Sequence, residues 1–253
     1  MSEYLAIAQE AARKAANVTL GYYTRKLTVS LKKDRTPVTD ADHTAEKTII
    51  DIIKSKFPDH AFYGEETGRS GGSDEYMWLI DPIDGTKNFI AEIPLWGILI
   101  ALMHKGEIIV GVSYLPILGE MLCAEKGEGA FLNGENVHVS KTTKMAKGMI
   151  SFGSLGAFKK IGLDQPVLDL IYGSHRQRSF GDLYPFHLLA EGKLEAVVEA
   201  EVKAVDVAPF VVIVKEAGGM TSDLTGKSFD LDISTFVATN GHVQSEVLSH
   251  FTG

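Results

Sequence analysis

Five largely apolar residues, Tyr76-Met77-Trp78-Leu79-Ile80, run straight into Asp81-Pro82-Ile83-Asp84-Gly85-Thr86. The run reads as a buried strand. Asp81 and Asp84 then leave the buried end of a sheet three residues apart, with Pro82 stiffening the turn between them, so both can face one pocket. Two carboxylates at close range repel, and either one takes a proton or a cation sits between them. Hard oxygen donors with no Cys and no paired His select Mg²⁺, or Mn²⁺, rather than zinc. Gly85-Thr86 next opens a short helix through Lys87-Asn88-Phe89. Its free N–H groups point at the same pocket, which makes Gly85 and Thr86 candidate phosphate-binding residues. In isolation the same Asp-Pro-x-Asp-Gly stretch also reads as a plain surface turn.

Charge fits that picture. The 253 residues include 25 Lys+Arg against 33 Asp+Glu, a net charge of −8. So acidic a chain is a poor holder of bare nucleic acid, which needs clustered cations. To handle an anionic substrate it must reverse the field locally, and a bound metal ion does this. With 45% hydrophobic and 23% charged residues, the composition is that of a globular protein, not of a disordered or fibrous one. The single cysteine, Cys123, excludes a disulfide framework and any CxxC site, and its strand-like surroundings suit a buried structural thiol. There is no secretory signal and no run of about 18 apolar residues to span a membrane, so the expected location is the cytoplasm.

Along the chain, residues 3–23 carry Leu5, Ala8, Ala12, Ala15 and Tyr22 on one helical face. Leu27–Asp34 reads as extended. Thr39 caps a second helix that has Asp40 and Asp42 in its first turn, buries Ala45, Ile49, Ile52 and Ile53, and stops at Phe57-Pro58-Asp59. Ser70-Gly71-Gly72-Ser73 is expected as a mobile loop. Trp96–Met103 and Glu107–Tyr114 form a hairpin, and Glu120–Ala124 and Ala130–Val139 continue the antiparallel pattern around an Asn133-Gly134 turn. After about residue 145 strands and helices alternate. The expected strands are 149–152, 175–180, 194–199 and 235–238, and the expected helices 165–171, 184–191 and 207–217. The fold class is therefore layered α/β (α+β), with an N-terminal lobe of helices on an antiparallel sheet (residues 1–145) and a C-terminal α/β lobe (residues 146–253).

Three further acids stand out. Gly64-Glu65-Glu66 follows an apolar strand, Asp206 opens a strongly apolar helix, and Asp42 lies in the first turn of the second helix. Each has a plain reading alone, as a solvated loop, an N-cap and a helix-start acid. Together the segments resemble the inositol monophosphatase family of Mg²⁺-dependent, lithium-sensitive phosphatases. Val38-Thr39-Asp40-Ala41-Asp42-His43-Thr44-Ala45-Glu46 is similar to the family's VTxxDxxxE, and Gly64-Glu65-Glu66 to its GEE. Residues Trp78 to Phe89 are similar to its WxIDPIDGTxNF. Val205-Asp206-Val207-Ala208 through Glu216-Ala217-Gly218-Gly219 resembles its WDxAAxxxxxxEAGG. Val205 stands where the family has tryptophan, and Pro209, expected in the first helical turn, where it has alanine.

The resemblance implies an αβαβα sandwich and a catalytic set of Asp42, Glu65 and Thr86. In it, Glu65, Asp81 and the Ile83 carbonyl bind one Mg²⁺, and Asp81, Asp84 and Asp206 a second. Thr86 and Asp42 orient the attacking water. A third, weaker metal near Glu65 and inhibition by Li⁺ also follow from the resemblance, as does a homodimer. Lys32 or Lys33 lies where the family has a lysine near the phosphate. The substrate class is a small phosphate monoester.

Its leaving group is expected to meet residues 175–205. There, Arg176 to Tyr184 read RxRxFGDxY, which resembles the histidinol-phosphate phosphatase branch. Histidinol phosphate carries an ammonium and an imidazole, and a buried carboxylate pairs with such a cation. The candidate substrate residues are accordingly Asp182, Arg178 and Glu199, with Asp84 and Asp206. Asp182 also reads as a simple helix cap. Inositol 1-phosphate and fructose 1,6-bisphosphate remain alternative substrates, and a retired, phosphate-metabolite-binding relative is the non-enzyme alternative. His187, Phe89 and Trp96 are read as core.

Overall fold

A computed structural model of the chain describes residues 2–23, 29–31 and 37–252. The opening amphipathic segment is α1 (Glu3–Tyr23), which buries Leu5, Ala8, Ala12 and Ala15 and leaves Tyr22 half-buried. The described part of the extended stretch is β1 (Val29–Leu31), paired antiparallel with β2 (Pro37–Thr39). Lys32 and Lys33 lie outside the described residues, as does the Thr39 side chain expected to cap the next helix. That helix is α2 (Asp40–Lys56), which buries Ala45, Ile49 and Ile53 and half-buries Ile52.

The first sheet follows: β3 (His60–Gly64), β4 (Gly68–Gly71), β5 (Ser73–Asp84), then the short helix α3 (Thr86–Ile90), β6 (Gly97–His104), β7 (Glu107–Leu115), β8 (Glu120–Glu125), β9 (Ala130–Leu132) and β10 (Glu135–Val137). Across the sheet the order is β10-β9-β8-β7-β6-β5-β3-β4. Neighbours are antiparallel except β3 and β5, which run parallel. The expected mobile loop at residues 70–73 is instead regular. β4 pairs with β3 from Ala61↔Gly71 to Gly64↔Gly68, and Ser73 starts β5. Its glycines serve tight geometry. Gly71 has a φ of 87°, and a Cβ on Gly72 would lie 2.0 Å from the Asp59 carbonyl oxygen.

A single 3₁₀ turn at Met145–Lys147 leads into the rest of the chain: β11 (Met149–Phe152), α4 (Leu155–Lys160), α5 (Asp164–Gly173), β12 (Arg176–Arg178), α6 (Tyr184–Ala190), β13 (Ala196–Ala200), α7 (Ala204–Glu216), β14 (Met220–Ser222), β15 (Thr235–Thr239) and α8 (Gln244–Ser249). The five strands form a second sheet in the order β12-β11-β13-β15-β14. α4, β14 and α8 go beyond the pattern read from the sequence, because elements of three to six residues carry little periodicity.

Five layers result. α1 and α2 cover one face of the first sheet, α6 and α7 lie between the two sheets, and α4, α5 and α8 cover the outer face of the second. β5 shows why its sequence has no polar side: Trp78 and Ile80 pack into the α1/α2 layer, Met77 and Leu79 into the α6/α7 layer. α7 is apolar on nearly every side for the same reason. It lies close on the sheet, for a Cβ on Gly111 of β7 would come within 2.4 Å of the Pro209 carbonyl oxygen. Pro209 is not in the first turn as expected. The helix begins at Ala204, so the proline removes an interior N–H, a cost that burial of the surrounding apolar side chains offsets.

Candidate active site

The two aspartates of β5 are aligned by an irregularity that periodicity does not show. Asp81 pairs with Leu99 of β6 and Asp84 with Gly97, so three steps along β5 match two along its neighbour. In a regular strand residues 81 and 84 would face opposite sides of the sheet. One extra residue, taken up as a bulge between Asp81 and Asp84, returns both to the same side, and a bulge in the stretch tolerates the missing proline N–H. The strand therefore does not end at Ile80; it runs to Asp84. The Ile83 N–H donates to Asp81 Oδ1 at 2.9 Å, and the Thr86 hydroxyl donates to the Ile83 carbonyl at 3.1 Å. Gly85 precedes α3 with a φ of 83°. A Cβ there would also sit 3.2 Å from Asp182 Oδ2.

Both aspartates are nearly inaccessible, and Asp84 Oδ2 is buried with no hydrogen-bond partner among the described residues. Burial holds the Asp81 carboxyl well above the usual carboxylate range, and the charges of Glu65, Asp84 and Asp206 push the same way. The Ile83 N–H only partly opposes them. Burial also raises Asp84, reinforced by Asp182, Asp206, Glu65 and Glu199. Acids from five separate stretches of the chain thus feel one another, and none of these neighbours supplies a compensating positive charge to either aspartate.

Glu65 follows the end of β3, tied to β5 by its N–H to the Ile80 carbonyl at 3.0 Å. The Lys203 ammonium lies 3.2 Å from Glu65 Oε1. Asp206 sits in the first turn of α7, not at its cap, and accepts from the Lys203 N–H at 2.8 Å. Burial lifts its carboxyl to about 7 against that hydrogen bond. On β13, Glu199 is lifted to about 8 by burial and by the charges of Asp182 and Asp206, and its Oε1 is buried without a partner among the described residues. Asp182 stands before α6 but makes no side-chain cap to it. Its Oδ2 instead accepts from the Asn88 amide at 2.9 Å, and burial raises its carboxyl in spite of the opposing Lys87 charge. Asp42 is wholly buried in the first turn of α2. Arg178 is set apart: it is exposed on the edge strand β12 and donates to the Gln177 carbonyl at 2.8 Å. Among the described residues no three Asp, Glu, His or Cys side chains close into a ready-made metal cage, so the acids form an open group.

Comparison with known proteins decides what this constellation belongs to. The sequence profile of the inositol monophosphatase family matches residues 1–252. The chain belongs to the inositol monophosphatase family. A relative named histidinol-phosphatase from Chlorobaculum parvum is 38% identical over 241 residues, covering 95% of this chain and 93% of that one. A second of that name, from Mycobacterium tuberculosis, is 36% identical over 88% of this chain and 87% of its own length. Among solved structures, the extragenic suppressor protein suhB of Bartonella henselae superposes with a TM-score of 0.91 at 29% identity, covering 99% and 98% of the two chains. This inositol monophosphatase-family protein is accordingly a phosphoric monoester hydrolase with the family's five-layer fold.

Three residues of this phosphatase's site carry no role in the sequence reading. Lys203 reaches Glu65 from a segment 138 residues away, and no local pattern announces that. Asn88 holds Asp182, although its place inside the DPIDGTKNF stretch was a signal. Glu46 is fully buried and accepts from the N–H groups of Glu66 and Thr67, both at 2.9 Å. Its signal was a charged residue on the apolar face of an amphipathic helix.

Proposed function

We propose that this phosphatase uses divalent cations, Mg²⁺ foremost, to hydrolyse a small phosphate monoester, with histidinol phosphate the best substrate. The observation that carries the cation is the buried, mutually repelling set of Asp81, Asp84 and Asp206, with the partnerless Asp84 Oδ2. Buried carboxylates without cations stay neutral or cost much free energy, and an all-oxygen donor set suits a hard ion. Glu65, Asp81, Asp84, Asp206 and the Ile83 carbonyl would hold it. Bound there, such ions neutralise phosphate oxygens, lower the pKa of a coordinated water and stabilise the leaving alkoxide. The protein's own part is positional. Thr86 and Asp42 orient the attacking water, and the Gly85-Thr86 corner receives a phosphate oxygen.

The substrate reading rests on Asp182 and Glu199. Both carboxyls lie beside the acidic group, and among the described residues neither forms a salt bridge with a lysine or arginine, so they favour a leaving group that brings its own positive charge. The relatives named histidinol-phosphatase point the same way. Phosphate release from histidinol phosphate, inositol 1-phosphate and fructose 1,6-bisphosphate, each with Mg²⁺ and with EDTA, tests both parts. The expected result is release that EDTA abolishes and a kcat/KM highest for histidinol phosphate. Release that survives EDTA sinks the cation, and a preference for inositol 1-phosphate sinks the substrate.

A further inference from the structure

The loop that carries Glu65 is held by a carboxylate from the neighbouring helix α2. Glu46, on α2, has no solvent exposure. Its two oxygens take separate N–H groups of that loop, Oε2 from Glu66 and Oε1 from Thr67, at 2.9 Å each. The other side of the loop is fixed by the Glu65 N–H on the Ile80 carbonyl at 3.0 Å, one residue before Asp81. Gly64 completes the arrangement. A Cβ there would lie 2.4 Å from the Glu46 Cδ and Oε1 atoms, so only glycine lets the carboxylate rise against the loop.

A buried carboxylate is costly unless charge-assisted hydrogen bonds satisfy it, and those bonds are short and directional. The bonds to Glu46, with the Glu65 N–H on the Ile80 carbonyl, hold the peptide planes on either side of Glu65, and with them the direction in which its Cα–Cβ bond leaves the backbone. We infer that Glu46 is a positioning residue, which sets the divalent-cation affinity of the site by holding the Glu65 loop, with Gly64 as the opening it needs. The inference rests on the proposed role of Glu65 as a metal ligand. Partners one layer behind metal ligands commonly change metal affinity about 10–100-fold when removed.

Titration calorimetry with Mg²⁺ alone, on the full-length wild type, Glu46→Gln, Glu46→Ala, Gly64→Ala and Glu65→Gln, tests it, alongside melting curves and kcat at saturating Mg²⁺. Glu46→Gln keeps the volume and one acceptor but turns an amide NH₂ toward a loop N–H, so it remains a usable variant if Glu46→Ala fails to fold. The expected result is Mg²⁺ binding weakened about 10-fold in Glu46→Gln and Gly64→Ala, and up to about 100-fold in Glu46→Ala. Once the site is saturated, kcat should stay within about threefold of wild type, because the loop is re-ordered by the bound ion. A purely structural brace would lower the melting temperature and leave Mg²⁺ affinity within about twofold; that result overturns the inference. If Glu65→Gln binds Mg²⁺ as wild type does, the metal-ligand reading falls and takes this one with it. If Glu65→Gln is weakened while folded Glu46→Gln and Gly64→Ala are not, the positioning role alone is wrong.

Discussion

At Asp84 a single side chain gathers most of the site's electrostatic tension. It is buried, lacks a partner at Oδ2 and feels four other carboxylates. Asp84→Asn keeps the shape and removes the charge. Turnover should fall by at least about 100-fold, since removing one charge-stabilising group typically costs about 10²–10³ in kcat. The melting temperature in EDTA should not fall, because a source of repulsion has gone. Near-normal turnover would remove Asp84 from the reaction. Asp182 makes a different prediction. The hydrogen bond it accepts from the Asn88 amide, instead of a cap to α6, leaves it facing the neighbourhood of Glu199. Asp182→Ala should cut kcat/KM for histidinol phosphate at least about tenfold more than for inositol 1-phosphate, since a charge-assisted hydrogen bond is worth about 1.5–3 kcal/mol. Equal losses on the two esters would assign Asp182 to structure alone.

Between elements, α6 is fastened to the first sheet by a polar contact inside an apolar layer. His187 is fully buried, with its Nε2 2.8 Å from the Ser113 hydroxyl of β7 and its Nδ1 3.5 Å from Glu120 Oε2 at the start of β8. Burial lowers the His187 pKa below 6.5, and Glu120 and Glu191 only partly oppose it. A depressed histidine means that the unfolded chain binds the proton more readily. Its contribution to stability is therefore full above about pH 6.5 and is lost as the pH falls from there through the folded pKa, by up to about 1.4 kcal/mol per pH unit. The raised carboxyls of the site act in the opposite sense, so the readout is a difference. Denaturation of wild type and His187→Gln at pH 7.5 and 5.5 should show the variant losing less stability on acidification. Parallel losses would mean that His187 is not the group being protonated. The β5 bulge works at the same scale, since one inserted residue decides whether two aspartates cooperate or point to opposite layers.

Across the whole molecule, the site lies where both sheets and the buried helix layer meet: β5 from the first sheet, β13 from the second, and the start of α7 between them. A cation bound there joins all three, so it should stabilise the fold and not just the site. At a free-ion concentration of 100 times Kd the gain is about 2.7 kcal/mol, or roughly 5–10 °C in melting temperature for a chain of this size. The effect should be larger at pH 8 than at pH 6. With folded pKa values lifted to about 7 for Asp206 and about 8 for Glu199, the protonated cluster favours the fold at low pH. That contribution is lost as the pH rises through those values, and the cation replaces what the protons supplied. Melting curves with Mg²⁺ and with EDTA at the two pH values check it. An Mg²⁺ shift that is absent, or larger at pH 6, contradicts the cluster as the binding site.

By itself the sequence determined the buried strand at residues 76–80, the acids that follow it, the long helices α1, α2 and α7 and the antiparallel order of β6 to β10, because each rests on neighbours within about ten residues and on an apolar period that water enforces. The ordered edge made by Gly68–Gly71 was not legible. Glycine serves a tight turn and a flexible loop equally well, and only the Asp59 carbonyl 2.0 Å from where a Gly72 Cβ would stand tells them apart. The start of α7 and the bulge between Asp81 and Asp84 were hidden for a related reason, since propensity places an element only to within a few residues while the carboxylates of a shared pocket must be placed to within one. Lys203 on Glu65, Glu46 beneath the loop and Asn88 on Asp182 join segments 138, 20 and 94 residues apart. Contacts across such distances leave no periodic trace along the chain; they exist only once five layers have been stacked and the surviving polar groups must find one another.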